Sequence, residues 1–416
     1  MTTPTPSSRA QAQPLRVALF TDSFHPELGG IQDSILACAR ELGARGHRVL
    51  VFAPTASKRD YARVGLPVAE PDLGPTVEVR RVASLPVPSS SQQSRLALPC
   101  GACLRDVQRL RPHLVHSHTF LSVGRAGLRA ARHAGVPLLG TNHWAVEAFD
   151  LYAPLARAAF RRIALGAVTR YYQRCDRVTG PSRFTVEHMQ RHGVRRPCSV
   201  ISNPVDTRCF APLDEAARLN AKLRFGLGAQ TVVYAGRLAR EKNLDVLLRG
   251  FALLREQLPQ ATLVLAGHGS AREALESLAS DIGIAHAVRF VGTLPHAQLA
   301  QLFGACEVFA IASKSETQSM VVLQAMACGL PAVGARCGGL VEHIPQQAGL
   351  LVEPDDPADL RDKLLRLLAD PGERLRLGAG ARRFACGFSV AAVADAWEDL
   401  YRRTLAEADP REPRPL

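Results

Sequence analysis

Two basic side chains flank a turn near the middle of the chain, where they could hold a diphosphate. The segment GRLAREKN follows an apolar run and places Arg237 and Lys242 on either side of a strand-to-helix turn that begins at Gly236. Two cations at such a turn can bind phosphate oxygens without a metal ion. A pair of solvated surface charges is the alternative. The turn at Gly267, after the next apolar run, is a weaker feature of the same kind.

A second polar turn lies in the segment SKSETQSMVVLQAMACGLPAVGARCGG, which begins at Ser313. The apolar run Val308–Ala312 precedes it, and the spacing predicts a helix over Gln318–Cys328 and a strand over Leu330–Ala335. The turn therefore lies at a strand's carboxyl end, where open parallel sheets bind ligands. Backbone N–H groups of Glu316–Ser319 at a helix N-terminus would suit an anionic or hydroxyl-rich ligand. An ordinary strand-to-helix turn is the alternative.

Glu316 and Gln324 are eight positions apart on this segment. If the segment is mostly helical, about 12 Å separates them. That span matches the distance from a sugar to a ribose across a diphosphate. One acceptor at each end could then hold hydroxyl groups.

The bulk composition indicates a soluble globular protein with two domains. The chain has 416 residues, of which 47% are hydrophobic and 21% charged, and it is too long for one compact core. No apolar run is long enough to span a membrane. Residues 1–14 have no apolar core for a signal peptide, so we expect a disordered leader and a cytoplasmic location.

Charge and cysteine content exclude little. The net charge of +13 could favour nucleic acid, an anionic membrane surface or a polyanionic substrate, but no nucleic-acid module is readable and we expect no such partner. The ten cysteines are scattered, which suits a reducing compartment. Cys100 and Cys103 form one CxxC without a second pair, so a redox or metal role is disfavoured.

Alternating strand and helix patterns predict two Rossmann-like domains that face each other across a cleft. The first covers residues 15–205, begins with a strand at Arg16 and has Gly29-Gly30 at its first turn, where a ligand could approach the backbone. Residues 206–230 are the predicted linker and residues 231–388 the second domain. The helix 389–405 should pack back on the first domain through Trp397 and its apolar neighbours. Residues 54–103 indicate exposed loop.

The motifs resemble those of the retaining GT-B glycosyltransferases of the GT4 family. The segments that carry the resemblance are GRLAREKN, LAGHG, VRFVG, SKSETQSMVVLQAMACGLPAV and CGG-x-x-E, preceded in the expected order by TDSFHPELGG, HSHTF, TNHW and SNPVD. The resemblance covers nearly everything from Arg16 to Leu405. It implies a nucleotide-sugar bound mainly to the second domain.

The resemblance also implies roles for named residues. Arg237 and Lys242 would neutralise the donor diphosphate, Glu316 would bind a sugar hydroxyl and His118 would lie near the reacting carbon. Gly29-Gly30 would close over the phosphates. The amides that would place the sugar are those of Gln318, Ser319 and Met320. No Asp-x-Asp motif occurs, and we expect neither a metal nor a cofactor.

One residue departs from the family signature of two glutamates separated by seven residues. The second position is Gln324 here, where relatives are expected to bind the ribose hydroxyls with a carboxylate. An amide oxygen accepts one such bond but lacks the charge and the bidentate symmetry. We expect weaker nucleotide binding rather than loss of catalysis.

The string SETQSMVVL is similar to glucosyltransferases that act on diacylglycerol, which implies α-linked transfer of glucose from UDP-glucose to a lipid or glycan acceptor. The Arg-rich apolar helix Leu151–Arg174 could lie on the inner face of the cell membrane, with Phe160 and Ile163 dipping in. A helix packed on the sheet with a solvated basic face is the alternative. A polysaccharide-building or soluble-acceptor enzyme, and a non-catalytic binding protein that has lost activity, are the rival functions.

Overall fold

The computed structural model describes residues 13–87, 94–98, 101–143 and 157–408. The predicted leader, residues 1–14, lies almost wholly outside this part of the chain, as does Cys100. For residues 102 and 157–161 the side chains are outside the description.

The first half of the chain alternates strands and helices. In order, these elements are β1 (Arg16–Phe20), α1 (Gly30–Ala44), β2 (Arg48–Pro54), α2 (Lys58–Arg63), β3 (Val77–Val82), β4 (Ser84–Pro86), β5 (Arg95–Ala97), α3 (Ala102–Leu110), β6 (Leu114–Ser117), α4 (Ser122–Ala134), β7 (Leu138–Thr141), α5 (Arg157–Tyr172), β8 (Arg177–Gly180), α6 (Arg183–Arg191) and β9 (Cys198–Val200).

Seven of these strands form one sheet in the order β3-β2-β1-β6-β7-β8-β9, and every pairing in it is parallel. The strand order reverses between β1 and β6, because the chain runs from β1 to β2 on one side and from β6 to β7 on the other. Ligands bind at such a switch point, outside the carboxyl ends of the strands. The loops that follow β1 and β6 carry TDSFHPELGG and HTF, so both motifs lie at this edge of the sheet.

The second half repeats the pattern. Its elements are α7 (Glu215–Phe225), β10 (Thr231–Ala235), α8 (Leu244–Gln257), β11 (Thr262–Ala266), α9 (Arg272–Asp281), β12 (Val288–Gly292), α10 (His296–Ala305), β13 (Val308–Ile311), α11 (Met320–Ala327), β14 (Ala332–Ala335), α12 (Leu340–His343), β15 (Gly349–Val352), α13 (Pro357–Ala369), α14 (Pro371–Cys386) and α15 (Val390–Ala406).

The second sheet is also parallel, with the order β12-β11-β10-β13-β14-β15. Its switch point lies between β10 and β13. The loop after β10 carries GRLAREK, and the loop after β13 carries SKSETQS. The central strands of both sheets are apolar and buried on both faces, because helices cover both sides of each sheet. The predicted fold of two Rossmann-like domains is confirmed.

The chain returns to the first domain at its end, as expected. The amide of Val205 donates to the carbonyl of Phe388 at 2.8 Å, so the two crossings between domains run side by side. Helix α15 then buries Trp397, Leu400 and Tyr401 in the core of the first domain. Its acidic face is held by Arg45 through Asp395 and Glu398, at 2.7 and 2.8 Å.

Two irregular stretches hold more structure than their sequence indicates. The range 54–103 contains α2, β3 and the antiparallel hairpin of β4 and β5. Strand β3 was missed because only Val82 of its six residues is buried, as befits an edge strand. The predicted linker, 206–230, contains α7, which binds the second domain because Arg218 and Lys222 reach the buried carboxylate of Glu307 at 2.7 and 2.8 Å.

Candidate active site

The second sheet brings Lys242 and Glu316 into direct contact. Lys242 ends a short 3-10 helix after β10, and Glu316 lies in the loop after β13. The Nζ of Lys242 donates to Oε1 of Glu316 at 2.6 Å, although 74 residues separate them in the chain. Both side chains are largely buried, at 16% and 10% exposure. The sequence predicted Lys242 as a phosphate contact and Glu316 as a sugar contact; the fold joins the two side chains in one ion pair.

The charge of Glu316 survives its burial. Burial raises the pKa of this carboxyl, but the ammonium of Lys242, the hydroxyl of Ser313 and the charge of Arg237 outweigh it and hold the pKa below its usual value. Glu316 is therefore a carboxylate at neutral pH. A carboxylate accepts hydrogen bonds from hydroxyl groups, as a sugar would offer.

Arg237 lies beside this pair and is half exposed, at 47%. Its guanidinium pairs with Glu241 at 3.0 Å within the same turn. The carbonyl of Arg237 accepts from the hydroxyl of Tyr234 at 3.0 Å, which holds the turn on the end of β10. Arg237 thus keeps its charge toward solvent while its backbone is anchored.

Gly267 packs the next turn against this one. A Cβ on Gly267 would lie 1.9 Å from the carbonyl oxygen of Gly236, and its φ of +138° also favours glycine. The amide of Leu238 donates to the carbonyl of His268 at 2.9 Å, so the two loops are bonded to each other. Gly267 therefore shapes the site by close packing.

The predicted helix over Gln318–Cys328 begins later than expected, at Met320 with Ser319 as its N-cap. Residues 316–319 form an irregular strap because their groups bond elsewhere. Thr317 Oγ1 donates to the carbonyl of His143 at 3.1 Å. The helix-terminal amides of α11 consequently begin at the N-cap Ser319, and the expectation of such amides was wrong for residues 316–318.

Gln318 connects the two domains. Its Oε1 accepts from the amide of Asn203 at 2.7 Å, and its Nε2 donates to the hydroxyl of Ser202 at 2.7 Å. The motif SNPVD of the first domain thus lies against the strap. The side chain of Gln318 is committed to this contact, which leaves its backbone for any ligand.

Two glycines hold the strap from beneath. The amide of Gly339 donates to the carbonyl of Glu316 at 2.8 Å. A Cβ on Gly339 would lie 2.1 Å from the carbonyl oxygen of Thr317, and one on Gly338 would lie 2.8 Å from that of Glu316. The CGG motif therefore permits the close approach of two loops.

Gly30 meets the start of α11 from across the cleft. A Cβ on Gly30 would lie 3.2 Å from Sδ of Met320, so the first loop of one domain touches the strap end of the other. Gly29 contacts its own helix instead, since its Cβ would meet Gln32 Oε1 at 2.8 Å. Of the two predicted glycines, Gly30 is the one that faces the second domain.

His118 is buried and reaches the strap only through His143. His118 Nδ1 and His143 Nε2 are 3.2 Å apart, and the carbonyl of His143 accepts from Thr317. Burial lowers the pKa of His118 well below its usual value and that of His143 to about 4, so both rings are neutral. Within the described residues, the buried Nδ1 of His143 has no hydrogen-bond partner. The sequence singled out His118; in the structure it is the carbonyl of His143 that bonds to the strap.

Gln324 lies in the second turn of α11 and is buried, at 4% exposure. Because residues 316–319 are not helical, the estimated 12 Å between Glu316 and Gln324 does not follow from helical rise. The two residues nevertheless share one continuous segment, on the strap and on the helix that it leads into.

Sequence reasoning missed Glu27, in the loop between β1 and α1. This side chain lines a cavity in the first domain together with His25, Asp60 and Arg95. Burial raises its pKa to about 7, although bonds to Gln32 and Ser23 and the charge of Arg237 oppose the rise. The signal available in the sequence was an acid beside the glycine pair, which looks like an ordinary loop residue.

The other predicted sites remain outside this cluster. Cys103 is buried, and in the described part of the chain no group of three or more His, Cys, Asp or Glu side chains is arranged to hold a metal. Within the same residues, no helix combines the length and apolar character that a membrane crossing needs. In helix α5, Ile163 is 72% exposed, while Tyr172 is fully buried against the sheet.

Two Rossmann-like domains with this site at their facing edges define a GT-B glycosyltransferase. A family model described as Glycosyltransferase Family 4 matches residues 28–208, and one described as Glycosyl transferases group 1 matches residues 216–384. The D-inositol 3-phosphate glycosyltransferase of Salinispora arenicola is 30% identical over 97% of this chain and 95% of its own length. That of Rhodococcus jostii is 32% identical, over 94% and 90%. The chain therefore belongs to the same family of GT-B glycosyltransferases as these relatives.

Solved structures show the same fold. Sucrose-phosphate synthase from Thermosynechococcus elongatus matches with a TM-score of 0.75 at 24% identity, over 95% of this chain and all of that one. Anabaena HepE in complex with UDP matches with a TM-score of 0.72 at 20% identity, over 94% of this chain and all of that one. Another structure of HepE holds UDP-glucose.

Proposed function

We propose that this protein transfers a hexose, in the first instance glucose, from a UDP-sugar to a hydroxyl group of a polar acceptor, with retention of the α-configuration. The observation that carries the proposal is the buried pair of Lys242 and Glu316 with Arg237 beside it. A sugar diphosphate offers both the negative charge that the cations would bind and the hydroxyl groups that would donate hydrogen bonds to Glu316. The UDP and UDP-glucose complexes of HepE support this choice of donor.

In this proposal the chain's own cations stabilise the leaving group. As the bond between the sugar and the phosphate breaks, negative charge grows on the diphosphate, and Arg237 and Lys242 are positioned to offset it without a metal. Glu316 holds a hydroxyl of the sugar, and the amide of Met320 at the start of α11 adds a donor. Gly30 closes the site from the first domain because it lacks a side chain where Met320 approaches.

The imidazole pair has two distinct roles in the proposal. His143, whose carbonyl bonds Thr317 of the strap and whose Nδ1 is buried, would be the ring that contacts the sugar. His118 bonds the other nitrogen of His143, so it determines which nitrogen of His143 carries the proton. In this proposal His118 supports His143 rather than contacting the reacting carbon itself.

The acceptor would lie in the cavity of the first domain that His25, Glu27, Asp60 and Arg95 line. These charged walls suit a hydroxyl-rich molecule such as a glycan or a phosphorylated cyclitol. The curated relatives support the latter, because their names specify D-inositol 3-phosphate. A small polar acceptor is the first candidate.

A lipid acceptor is the second candidate, favoured by helix α5. Arg162 and Arg170 are exposed on this helix, Arg174 is exposed just beyond its end, and Ile163 stands out from the same helix. Cations beside an exposed apolar side chain suit anionic headgroups. The buried Val168 and Tyr172 show that the end of α5 packs on the sheet, which is the other expectation for this helix.

The test is UDP release from a panel of UDP-sugars, with inositol phosphates, oligosaccharides or anionic vesicles containing diacylglycerol as acceptors. Lys242→Gln and Arg237→Gln should each lower kcat about 100-fold or more. Lys314→Gln is the matched control, since that lysine lies in the same loop as Glu316 but pairs with Asp355. Gln324→Glu should tighten UDP binding. Tight UDP binding without turnover on any acceptor would establish the non-catalytic alternative instead.

A further inference from the structure

Glu342 joins the two domains outside the residues assigned to substrate. Its carboxylate oxygens accept from the backbone amides of Arg183 and Phe184 at 2.8 and 2.6 Å. These residues open helix α6 of the first domain, whose cap is Ser182, bonded to the amide of Thr185 at 3.2 Å. First-turn amides have no partner within their helix, and the helix dipole favours negative charge there. Glu342 therefore satisfies two donors of the opposite domain.

The same residue is connected to the strap that carries Glu316. Glu342 lies in the single-turn helix α12, which begins immediately after Gly339. The amide of Gly339 holds the carbonyl of Glu316 at 2.8 Å, and the amide of His343 returns to the carbonyl of Gly339 at 3.2 Å. Only one turn of chain thus separates the contact with the first domain from the contact with Glu316.

Two further contacts between the domains are made by residues of this strap. Thr317 binds the carbonyl of His143, and Gln318 binds Asn203 and Ser202. Those contacts use the strap directly, whereas Glu342 acts on it from behind through Gly339. The close packing of Gly339 leaves α12 little freedom to move without moving residues 316–317.

We propose that Glu342 is a positioning residue that couples closure of the two domains to the placement of the Glu316 carboxylate. With the start of α6 seated on Glu342, α12 is fixed and the strap is held in the geometry that binds the donor sugar. When the domains separate, the two hydrogen bonds from the backbone amides of Arg183 and Phe184 to Glu342 are lost. The strap then becomes more mobile. The inference rests on the proposed role of Glu316 in donor binding.

The experiment compares Glu342→Gln and Glu342→Ala with Glu353→Gln, an exposed carboxylate that pairs with Arg336. Turnover, UDP affinity by calorimetry and hydrogen exchange of residues 183–185 and 316–319 are measured. Removing the side chain in Glu342→Ala should lower kcat about 10- to 100-fold, because small displacements of a reacting group have costs of this size. UDP affinity should change less than about twofold. In Glu342→Ala, hydrogen exchange should become faster in both segments. In Glu342→Gln the loss of turnover should be smaller, because the amide oxygen of the glutamine still accepts one of the two hydrogen bonds.

Two results would overturn the inference. One is faster exchange at residues 183–185 with unchanged kcat, which describes a contact that only joins the domains. The other is UDP affinity that falls in step with kcat, which describes damage to the nucleotide site. The Glu342→Gln variant keeps the test usable if Glu342→Ala fails to fold. A wild-type protein that neither binds UDP nor transfers sugar would instead refute the proposed function beneath it.

Discussion

At the scale of single residues, Glu27 is a carboxyl group whose protonation depends on the fold. It lies two positions before Gly29, in a loop that the sequence alone marks only as a glycine-containing turn. Burial raises its pKa to about 7 while Arg237, from the other domain, opposes that rise. The other ionisable groups around the cavity are Asp22, His25, Asp60 and Arg95.

A raised carboxyl pKa makes the folded state bind more protons than the unfolded state between the ordinary value of 4.5 and about 7. Stability should therefore fall as pH rises through that window. Glu27→Gln cannot ionise, so relative to wild type it should gain stability between about pH 5 and about pH 8. Urea unfolding of the wild type and of Glu27→Gln at about pH 5 and about pH 8 measures the difference in their unfolding free energies. An equal difference in unfolding free energy at both values would contradict the assignment.

The residues of the ion pair were identified by type and spacing. Arg237, Lys242 and Glu316 occupy strand-to-helix turns, and parallel sheets bring such turns to one edge. The contact at 2.6 Å between Lys242 and Glu316 was not foreseen, because it requires β10 and β13 to be neighbours in the sheet. Strand order is a property of the sheet and leaves no local pattern in the chain.

At the scale of elements, strand positions followed closely from the apolar runs. Strand β1 begins at Arg16 as predicted, and β13 and β14 lie within the predicted ranges Val308–Ala312 and Leu330–Ala335, since buried strands have continuous apolar segments bounded by turn residues. Helix α11 was predicted to begin at Gln318 but begins at Met320, because Gln318 bonds to the first domain in space, as does its neighbour Thr317. Tertiary contacts outweighed local propensity there.

The strap should be intolerant of a side chain at Gly339. Gly339→Ala would place a Cβ 2.1 Å from the carbonyl oxygen of Thr317 and force the strap away from α12. We expect kcat to fall at least about tenfold, with a loss of about 1–3 kcal/mol in unfolding free energy from overpacking. Turnover and urea unfolding measure the two effects.

Gly166→Ala in α5 is the control for that substitution, since a Cβ on Gly166 meets nothing within 4 Å among the residues that the structure describes. Alanine in a helix interior should leave activity unchanged and add slightly to stability. A Gly339→Ala protein with wild-type turnover would show that the strap tolerates displacement.

At the scale of the whole molecule, the cleft is bridged on another side by His296 at the start of α10. Its Nε2 lies 3.2 Å from Oδ2 of Asp33 on α1, the helix that follows Gly29-Gly30. The hydrogen bond to Asp33 raises the pKa of His296, burial opposes it, and the charges of Asp33 and Asp206 add to it. The pair is half exposed, so water and salt screen it.

Because the pKa of His296 is raised in the folded state, the bridge contributes fully below the ordinary value of 6.5 and is lost as pH rises through the raised value. The domains should be held together more closely at about pH 6 than at about pH 8.5, most clearly at low salt. Small-angle X-ray scattering should show a larger radius of gyration at the higher pH. His296→Gln should remove this dependence; a pH response of the same size in that variant would refute the bridge.

The class of fold, the order of its elements and the residue types at the strand ends could all be read from the chain, because apolar periodicity and turn residues are local properties. The CGG and glycine-pair motifs are local in the same way. Which side chains meet became known from the folded molecule alone: Lys242 with Glu316, Gly30 with Met320, Glu342 with the start of α6. The physical reason is that contacts within and between the domains depend on strand order and on how the two domains face each other, and neither is encoded in any short segment.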